Sequence, residues 1–277
     1  MISGAARLAG VLGWPVSHSR SPKLHNFWLA RHGIDGAYVP LPVAPADFVT
    51  AVRGLGAAGF RGANVTIPHK EAAFALCTRI DAIARRSGAV NTLAFTPDGI
   101  DGSNTDGAGF LANLLAHRID PAAGPALLLG AGGAARAIAA TLLDEGVHVR
   151  IANRSPDRAA ALAAALPGIE VLDWNRRHAA LADHALLVNT TSAGMKGAPK
   201  LDLDLTRVAA ALVVADIVYV PLMTPLLTAS AARGLRTVGG LGMLLHQAVP
   251  GFSAWFGVTP EVDQEVFDLV ASDIPAT

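Results

Sequence analysis

Short apolar runs alternate with longer segments of helical periodicity along most of the chain. The runs at 8–12, 126–129 and 186–189 have the length and composition of buried strands. The segments that follow them place apolar residues three and four positions apart, as on one face of a helix. Alternating strands and helices are typical of parallel α/β units, so the sequence predicts an α/β fold with mostly parallel sheets.

The same pattern divides the chain into two domains. Strands are predicted at 8–12, 37–43, 63–66, 90–95, 126–129, 147–152, 186–189 and 212–215, and the pattern becomes more regular after about residue 107. Pro97, Asp98 and Gly99 form a turn that predicts one antiparallel pair in the first region. The segments at 241–255 and 262–270 predict two helices, which need a surface to cover. We therefore expect residues 1–106 with 241–277 to form one domain and residues 107–240 a second.

Composition and charge exclude several classes of protein. The chain of 277 residues is 52% hydrophobic and 16% charged, which is ample material for two cores. Basic and acidic residues both number 22, which argues against a duplex nucleic-acid binder. Cys77 is the single cysteine, so an intrachain disulfide is excluded. The N-terminus lacks a signal-peptide pattern, and the apolar stretch 208–223 contains Asp216 and Pro221, so we expect a cytoplasmic protein that crosses no membrane.

A glycine-rich turn lies between the strand at 126–129 and the helix after it. In LLLGAGGAARA (127–137), Gly130, Gly132 and Ala135 have the spacing G-x-G-x-x-A. The first glycine permits a tight turn, the second leaves room for a pyrophosphate, and the small alanine allows close packing of helix and sheet. An ordinary tight turn is the alternative. The strand–turn–helix context favours a Rossmann-type dinucleotide-binding domain.

The residues after the next strand indicate which dinucleotide would bind. A domain that binds the unphosphorylated dinucleotide usually has Asp or Glu there to accept the ribose 2′-hydroxyl. Here the strand is followed by Asn153 and Arg154, with Arg158 one turn later. A guanidinium group can hold a 2′-phosphate that a carboxylate would repel, so the sequence favours NADP. Arg158 is almost equally well explained as a solvated helix residue.

Two charged residues lie where α/β folds bind ligands, beyond the carboxyl ends of strands. Lys70 follows a strand in NVTIPHKEAAF (64–74), in which Pro68 predicts the start of a helix. Asp106 lies in GSNTDGAGF (102–110), where the first domain gives way to the second. A nicotinamide enzyme needs such a group to handle a proton beside the carbon that exchanges hydride. The alternatives are a solvated lysine and an aspartate that caps a helix.

Hydroxyl and imidazole groups are concentrated in GWPVSHSRSPKLHN (13–26). Ser17 and Ser19 follow a strand and could donate two hydrogen bonds to one carboxylate. Ser21 is better explained as the helix cap before Pro22. Metal binding by histidine is not predicted, because the spacing of the three histidines matches no ligand pattern: His18, His25 and His69.

Seven blocks of the sequence resemble the shikimate dehydrogenase family in order and spacing. They are VSHSRSPKLHN, NVTIPHK, GAVNTL (88–93), NTDGAGF, GAGGAARA, NRS and GGLGMLLHQA (239–248). The resemblance covers about residues 8–256. It implies an enzyme that reduces 3-dehydroshikimate to shikimate with NADPH, in the pathway to aromatic amino acids. The expected partners are this small-molecule substrate and a second copy of the chain in a homodimer.

The resemblance also implies roles for individual residues. It makes Lys70 and Asp106 the catalytic pair and Ser17 and Ser19 the ligands of the substrate carboxylate. The other substrate contacts that it implies are Thr66, Asn91, Asp106, Tyr219 and Gln247. The cofactor contacts that it implies are Gly130, Ala131, Gly132, Gly133 and Ala134 for the pyrophosphate, Asn153, Arg154 and Arg158 for the 2′-phosphate, and Ile217, Gly240 and Met243 for the nicotinamide end. Gly239 departs from the family, which often has an aspartate there.

Three other functions are compatible with parts of this pattern. Quinate dehydrogenases share the scaffold, but those specialised for quinate and NAD tend to have threonine at the position of Ser19 and an acidic residue near Asn153. Use of both substrates stays open. A non-catalytic NADP-binding sensor would be favoured by loss of Lys70 or Asp106, and both are present. Folate dehydrogenases of similar architecture would not explain the paired serines.

Overall fold

The computed structural model describes residues 2–277 and contains two six-stranded sheets with helices between the strands, as the alternating pattern predicts. It divides into two units. The first comprises the residues up to Thr105 together with Gln247–Val270, and the second comprises Asp106–His246 with Ala271–Thr277. Among residues 2–277, no helix has both the length and the apolar character needed to cross a membrane.

The sheet of the first unit is mixed, with strand order β2-β1-β3-β5-β6-β4. Its strands are β1 Arg7–Gly13, β2 Gly36–Pro42, β3 Gly62–Val65, β4 Arg79–Ile80, β5 Thr92–Thr96 and β6 Gly99–Ser103. The helices among them are α1 Ser21–Arg31, α2 Phe48–Ala57, α3 Lys70–Leu76 and α4 Ala82–Ser87, with a 3-10 turn at Pro45–Asp47. The predicted antiparallel pair is β5 with β6, and β3 also pairs antiparallel with β5.

The sheet of the second unit is entirely parallel, with strand order β12-β11-β10-β7-β8-β9. Its strands are β7 Ala126–Leu129, β8 Val149–Ala152, β9 Ile169–Leu172, β10 Leu186–Asn189, β11 Val213–Asp216 and β12 Arg236–Val238. The helices are α5 Asp106–Ala116, α6 Gly133–Asp144, α7 Pro156–Ala165, α8 Arg177–Ala180 and α9 Pro225–Ala231, with a 3-10 turn at Trp174–Arg176. This order is that of a Rossmann fold, in which the chain reverses direction across the sheet after its third strand.

The C-terminal helices return to the first unit. Helix α10 spans Gly240–Phe256, and its second half packs there, with Trp255 Nε1 donating to the carbonyl of Leu93 at 2.9 Å. Helix α11, Gln264–Ala271, follows it. Asp106, residues 241–246 and the last seven residues, which were expected with the first domain, lie with the second unit instead. The N–H groups of Leu222 and Met223 donate to the carbonyls of residues 275 and 276, and these bonds hold the chain end there.

The predicted cap at Ser21 is wrong. Helix α1 begins at Ser21, with Arg20 in the capping position and no side-chain cap. Ser21 is buried, and its N–H donates to Oγ of Ser19 at 3.3 Å. The hydroxyl that supports this helix start therefore belongs to Ser19.

The helix expected at Pro68 begins two residues later, at Lys70. The N–H of His69 donates to the carbonyl of Thr66 at 2.9 Å, which closes a turn before the helix. His69 is buried, stacks on the ring of Phe48 at 4.5 Å, and places Nε2 2.8 Å from the carbonyl of Val43. Tertiary contacts of His69 thus fix the turn that delays the helix.

The core of the first unit contains a histidine among aromatic rings. His25 has no exposed surface and stacks on Tyr38, with ring centroids 4.0 Å apart and planes 4° from parallel. The rings of Trp28, Phe252 and Trp255 lie within 6 Å of it. Burial in this apolar environment lowers the pKa of His25 to about 3, because the charged imidazolium would lose its hydration. His25 is therefore a neutral core residue at pH 7.

This burial predicts a pH dependence of stability. The unfolded chain protonates His25 below about pH 6.5 and the folded chain does so only near pH 3, so stability falls as the pH falls through that window. Between pH 7 and pH 5 the free energy of unfolding should fall by about 2 kcal/mol more in the wild type than in His25→Phe. Urea denaturation of both proteins at both pH values measures the difference. Parallel pH dependences would contradict a neutral buried imidazole.

Candidate active site

Three chain segments of the first unit meet at one edge of its sheet. Strands β1 and β3 are parallel, with Leu12 paired to Val65, so their carboxyl ends lie side by side. Strand β5 runs antiparallel to β3, with Thr92 opposite Asn64, so β5 begins at the edge where β3 ends. The predicted residues 17, 19, 66, 70 and 91 all lie in the segments at this edge. The sheet topology therefore brings together residues from three parts of the sequence.

Main-chain hydrogen bonds join the loops that carry the hydroxyl groups. Ser17 is exposed and Ser19 half-buried in the turn between β1 and α1. The N–H of Trp14 in the same loop donates to the carbonyl of Ile67 at 3.1 Å. Thr66 is half-buried, and its N–H donates to the carbonyl of Leu12 at 2.9 Å. The paired serines and Thr66 thus lie in loops held together by backbone contacts.

Lys70 is the first residue of α3 and is half-buried. Its carbonyl accepts a hydrogen bond from the N–H of Val90 at 3.0 Å, which places it beside the segment that contains Asn91. A cation at a helix N-terminus is disfavoured by the helix dipole, so Lys70 is not there to stabilise the helix. This position favours a role in binding or catalysis over a role in folding.

Two predicted substrate residues meet in a buried hydrogen-bond network. Asn91 Nδ2 donates to Gln247 Oε1 at 3.3 Å and to Thr105 Oγ1 at 3.0 Å. Thr105 Oγ1 in turn donates to the carbonyl of Gln247 at 2.8 Å, and its N–H donates to Asn91 Oδ1 at 2.9 Å. The network continues through Thr92 to Asn64, whose Oδ1 accepts from the hydroxyl of residue 38 at 2.6 Å. These bonds fix both amide side chains.

Sequence reasoning missed Thr105 and Asn64 as members of this network. Both lie inside quoted blocks, Asn64 as the first residue of NVTIPHK and Thr105 directly before Asp106. A polar residue within a buried strand, such as Asn64, needs a hydrogen-bond partner, and that requirement was the available signal. Which partner it takes depends on strand pairing, which the sequence does not state.

Asp106 begins α5 in the second unit and is buried. The next residue, Gly107, allows α5 to pack closely on α6. A Cβ atom at Gly107 would lie 2.1 Å from Thr141 Oγ1 and 2.6 Å from the carbonyl oxygen of Ala137. Asp106 belongs to the second unit and Lys70 to the first.

The glycine turn after β7 has the geometry of a phosphate-binding loop. Gly130 has φ +112°, in the region that favours glycine, and a Cβ there would lie 2.6 Å from Thr190 Oγ1. Gly132 and Gly133 face open space, with no atom within 4 Å of an added Cβ. Helix α6 begins at Gly133 with no side-chain cap, so its first N–H groups have no side-chain acceptor there. The turn therefore fits a pyrophosphate at a helix N-terminus. Ala131 and Ala134 complete the five predicted residues.

A pocket of about 410 Å³ lies in the second unit near the carboxyl ends of β8 and β10. Its charged lining residues are Arg154, Arg177, Lys200 and Asp202. Arg177 is already engaged, with Nη1 2.8 Å from the carbonyl of Trp174 and Nη2 3.1 Å from Asp202 Oδ2. Arg154 and Lys200 are exposed at this pocket and are the cations suited to an incoming phosphate.

The predicted 2′-phosphate residues lie at different places relative to this pocket. Arg154 lines it, whereas Arg158 is exposed on α7 and is not among its lining residues. Asn153 Nδ2 donates to the carbonyl of Ser155 at 2.9 Å, which shapes the turn that carries Arg154. Lys200 was missed because it is more than forty residues from Arg154 in sequence and lies in a proline-containing loop without a motif.

The residues predicted for the nicotinamide end lie around the start of α10. Ile217 and Tyr219 are half-buried in the loop after β11, and Met243 is buried. A Cβ at Gly240 would lie 2.3 Å from the carbonyl oxygen of Ile217, so the loop and the helix are in backbone contact. Asn113 Nδ2 donates to the carbonyl of Gly239 at 3.0 Å, which holds the chain where the family often has an aspartate.

Two glycine variants separate folding from cofactor binding. Gly130→Ala should lower the free energy of unfolding by about 1–3 kcal/mol, because φ is positive and the methyl group meets Thr190. Gly132→Ala should change stability by less than about 0.5 kcal/mol, because its Cβ meets no atom. Thermal denaturation measures both effects, and calorimetric titration with NADP should detect weaker binding in Gly132→Ala. Equal stability losses in the two variants would contradict this geometry.

Comparison with known proteins assigns most of the chain to the family that the sequence blocks resemble. Residues 11–93 match the shikimate dehydrogenase substrate binding domain, residues 114–221 the shikimate / quinate 5-dehydrogenase model, and residues 240–264 the shikimate 5′-dehydrogenase C-terminal domain. The NADP(+) shikimate dehydrogenase of Acidiphilium cryptum is 66% identical over 274 residues, which cover 99% of both chains.

Solved structures agree with this assignment. The shikimate 5-dehydrogenase of Thermus thermophilus, in complex with NADP(H) and shikimate, is 36% identical with a TM-score of 0.87, and the match covers 96% of this chain and 98% of that one. The quinate dehydrogenase of Corynebacterium glutamicum in complex with NAD is 29% identical with a TM-score of 0.90, covering 96% and 99%. The chain is a member of the shikimate dehydrogenase family, a family of oxidoreductases.

Proposed function

We propose that this protein catalyses the reversible, NADP-dependent reduction of 3-dehydroshikimate to shikimate. The observation that carries the proposal is the set of side chains at one edge of the first sheet. Two hydroxyls, a threonine, a lysine and two fixed amides lie in neighbouring segments there, at Ser17, Ser19, Thr66, Lys70, Asn91 and Gln247. Such a set suits a small ring that bears one carboxylate, several hydroxyls and a reacting carbonyl. The 66% identical relative that bears the name supports it.

Each unit has its own role in this proposal. The first unit binds the substrate, with Ser17 and Ser19 donating to its carboxylate and Thr66, Asn91 and Gln247 contacting its hydroxyls. The second unit binds NADP, and it supplies Tyr219 and Asp106 as further substrate contacts. Because Thr105 already orients Asn91 and Gln247, little side-chain entropy would be lost when the substrate binds.

Lys70 carries the central chemical role. The bound reduced nicotinamide supplies the hydride that converts the substrate ketone to an alcohol. The ammonium group of Lys70 stabilises or protonates the oxygen on which negative charge develops, and this stabilisation is strongest where water is excluded. Asp106 is the carboxylate of the proposed catalytic pair, and its burial sets it apart from a solvated helix cap.

The second unit fits NADP better than NAD. The pyrophosphate would bind at Gly130–Ala134, where Gly132 and Gly133 leave open space before the start of α6. The 2′-phosphate would bind at the pocket that Arg154 and Lys200 line, with Asn153 shaping the turn and Arg158 nearby in sequence. The one carboxylate of the pocket, Asp202, pairs with Arg177, and the end of β8 carries Arg154 in place of an acidic residue. This arrangement is the one expected for the phosphorylated cofactor.

Removal of the Lys70 ammonium should stop the reaction and leave binding nearly intact. Lys70→Ala is expected to lower kcat by about 10²- to 10⁴-fold, the usual contribution of a positioned acid–base group. The KM for shikimate should change little, because Ser17, Ser19 and Thr66 still bind it. Arg53→Ala, an exposed cation on α2 of the same unit, is the matched control and should keep full turnover. Intact turnover in Lys70→Ala would remove Lys70 from the mechanism.

Charge removal at the pocket should weaken NADP selectively. Arg154→Gln or Lys200→Gln is expected to raise the KM for NADP by about 10- to 100-fold, since a charged hydrogen bond to phosphate contributes about 1.5–3 kcal/mol. Turnover with NAD should not change. Arg207→Gln, an exposed arginine of the same unit outside the pocket, is the control. An equal loss with both cofactors would show general damage to the fold and contradict the assignment.

Quinate is the second candidate substrate, because the chain also resembles a quinate dehydrogenase solved with NAD. Ser19 and the pair Asn153–Arg154 favour shikimate and NADP. A steady-state assay that crosses shikimate and quinate with NADP and NAD distinguishes the candidates. The highest kcat/KM is expected for shikimate with NADP. The homodimer and the cytoplasmic location stay predictions from the sequence.

A further inference from the structure

A buried carboxylate in the second unit has no role in the reaction described above. Asp216 ends β11 and is 2% exposed. Its Oδ1 accepts from Asn189 Nδ2 at 2.9 Å and from the N–H of Val218 at 3.0 Å, and its Oδ2 accepts from Thr224 Oγ1 at 2.7 Å. These three partners are neutral groups. Burial raises the pKa of Asp216 to about 6, and the hydrogen bonds from Thr224, Val218 and Asn189 lower it only in part.

Burial of an ionised carboxylate lowers the stability of the fold. A buried ionised carboxylate loses its hydration, and neutral donors replace only part of it. An apolar side chain would avoid the penalty of burying a charge but would leave three buried donors without an acceptor. The positions of these three partners indicate what the buried carboxylate does.

The three donors come from three different places around the proposed nicotinamide end. Asn189 ends β10, and its Oδ1 accepts from the N–H and the hydroxyl of Thr191. Val218 lies in the loop after β11. Thr224 caps α9, where its Oγ1 also accepts from the N–H of Leu227 at 3.3 Å. One carboxylate thus joins the loop after β10 to both ends of the segment 217–224.

That segment lies directly against the first turn of α10. A Cβ at Gly240 would lie 2.3 Å from the carbonyl oxygen of Ile217 and 2.8 Å from that of Val218, so the two backbones touch. The far side of the segment is held by the chain end, where the N–H groups of residues 222 and 223 donate to the carbonyls of residues 275 and 276. Any change in the shape of 217–218 must therefore move either the loop or the start of α10.

We propose that Asp216 is a positioning residue that fixes the segment 217–224 and thereby places Ile217, Tyr219 and the first turn of α10 around the nicotinamide. The inference rests on the proposed function, which assigns Ile217, Gly240 and Met243 to the nicotinamide end. Asp216 acts through these residues and touches neither the substrate nor the cofactor in this proposal.

The decisive variants alter one hydroxyl group at nearly constant volume. Thr224→Val removes the hydroxyl that donates to Asp216 and accepts from the N–H of Leu227, and Thr224→Ser keeps both bonds. Val149→Ala, a buried truncation in β8 on the far side of the same sheet, is the control for loss of stability alone. Asp216→Asn is a second probe, and the Thr224 pair decides the question where Asp216→Asn does not fold.

Two measurements separate positioning from structural support. In the free protein, hydrogen–deuterium exchange of the amides in 217–224 should be about tenfold faster or more in Thr224→Val, and unchanged in Val149→Ala and Thr224→Ser. In the assay with NADPH, Thr224→Val should lower kcat by about 10- to 100-fold, because small displacements near a reacting group have effects of that size. Its primary isotope effect with 4-deuterated NADPH should rise, while the KM for the substrate stays the same.

The outcomes are distinct. A Thr224→Val protein with lower thermal stability but wild-type exchange in 217–224 and wild-type kcat would overturn the inference, since Asp216 would then only support the fold. Wild-type protein that does not turn over shikimate with NADP would instead overturn the proposed function. In that case the exchange measurement still shows whether Asp216 fixes the segment.

Discussion

Each unit depends on the same constraint: the carboxyl ends of parallel strands lie together at one edge of its own sheet. In the second sheet all six strands run the same way, so the turns after β7, β8, β10 and β11 must lie at one edge. In the first sheet the parallel pair β1 and β3 does the same, and the antiparallel β5 begins at that edge. Strand pairing therefore brings residues that are far apart in sequence close together, before any contact between their side chains is considered.

Close contacts at three glycines set the local structure of the second unit. Gly130 permits contact with Thr190, Gly240 permits contact with Ile217, and Gly242 permits contact with Asn113, where an added Cβ would lie only 2.0 Å from Oδ1. Gly130 lets two loops approach each other, Gly240 a loop and a helix, and Gly242 the helices α10 and α5. A side chain at any of these positions would separate the two segments. In contrast, Gly132 and Gly133 in the glycine turn face open space.

Buried polar groups fix the side chains that the backbone brings near. Asn91 and Gln247 share Thr105 as a common partner, and Asp216 joins three segments through three neutral donors. Burial removes the polar groups of each network from water, which is unfavourable. A satisfied hydrogen-bond network in a low dielectric, however, favours one arrangement of its members. His25 shows the contrasting case, in which burial among aromatic rings keeps an ionisable group neutral.

The sequence by itself determined the α/β alternation, the Rossmann turn, the arginine after β8 and most strand positions, because apolar periodicity and glycine spacing are local properties. It failed at the short edge strands β4, β9 and β12 and at the helix starts of Ser21 and Lys70. Only the tertiary structure decided that Thr105 joins Asn91 to Gln247, that Lys200 faces the same pocket as Arg154, and that Asp216 joins its three segments. These contacts depend on strand order and register, which bring distant residues within hydrogen-bond distance and leave no mark on the local pattern.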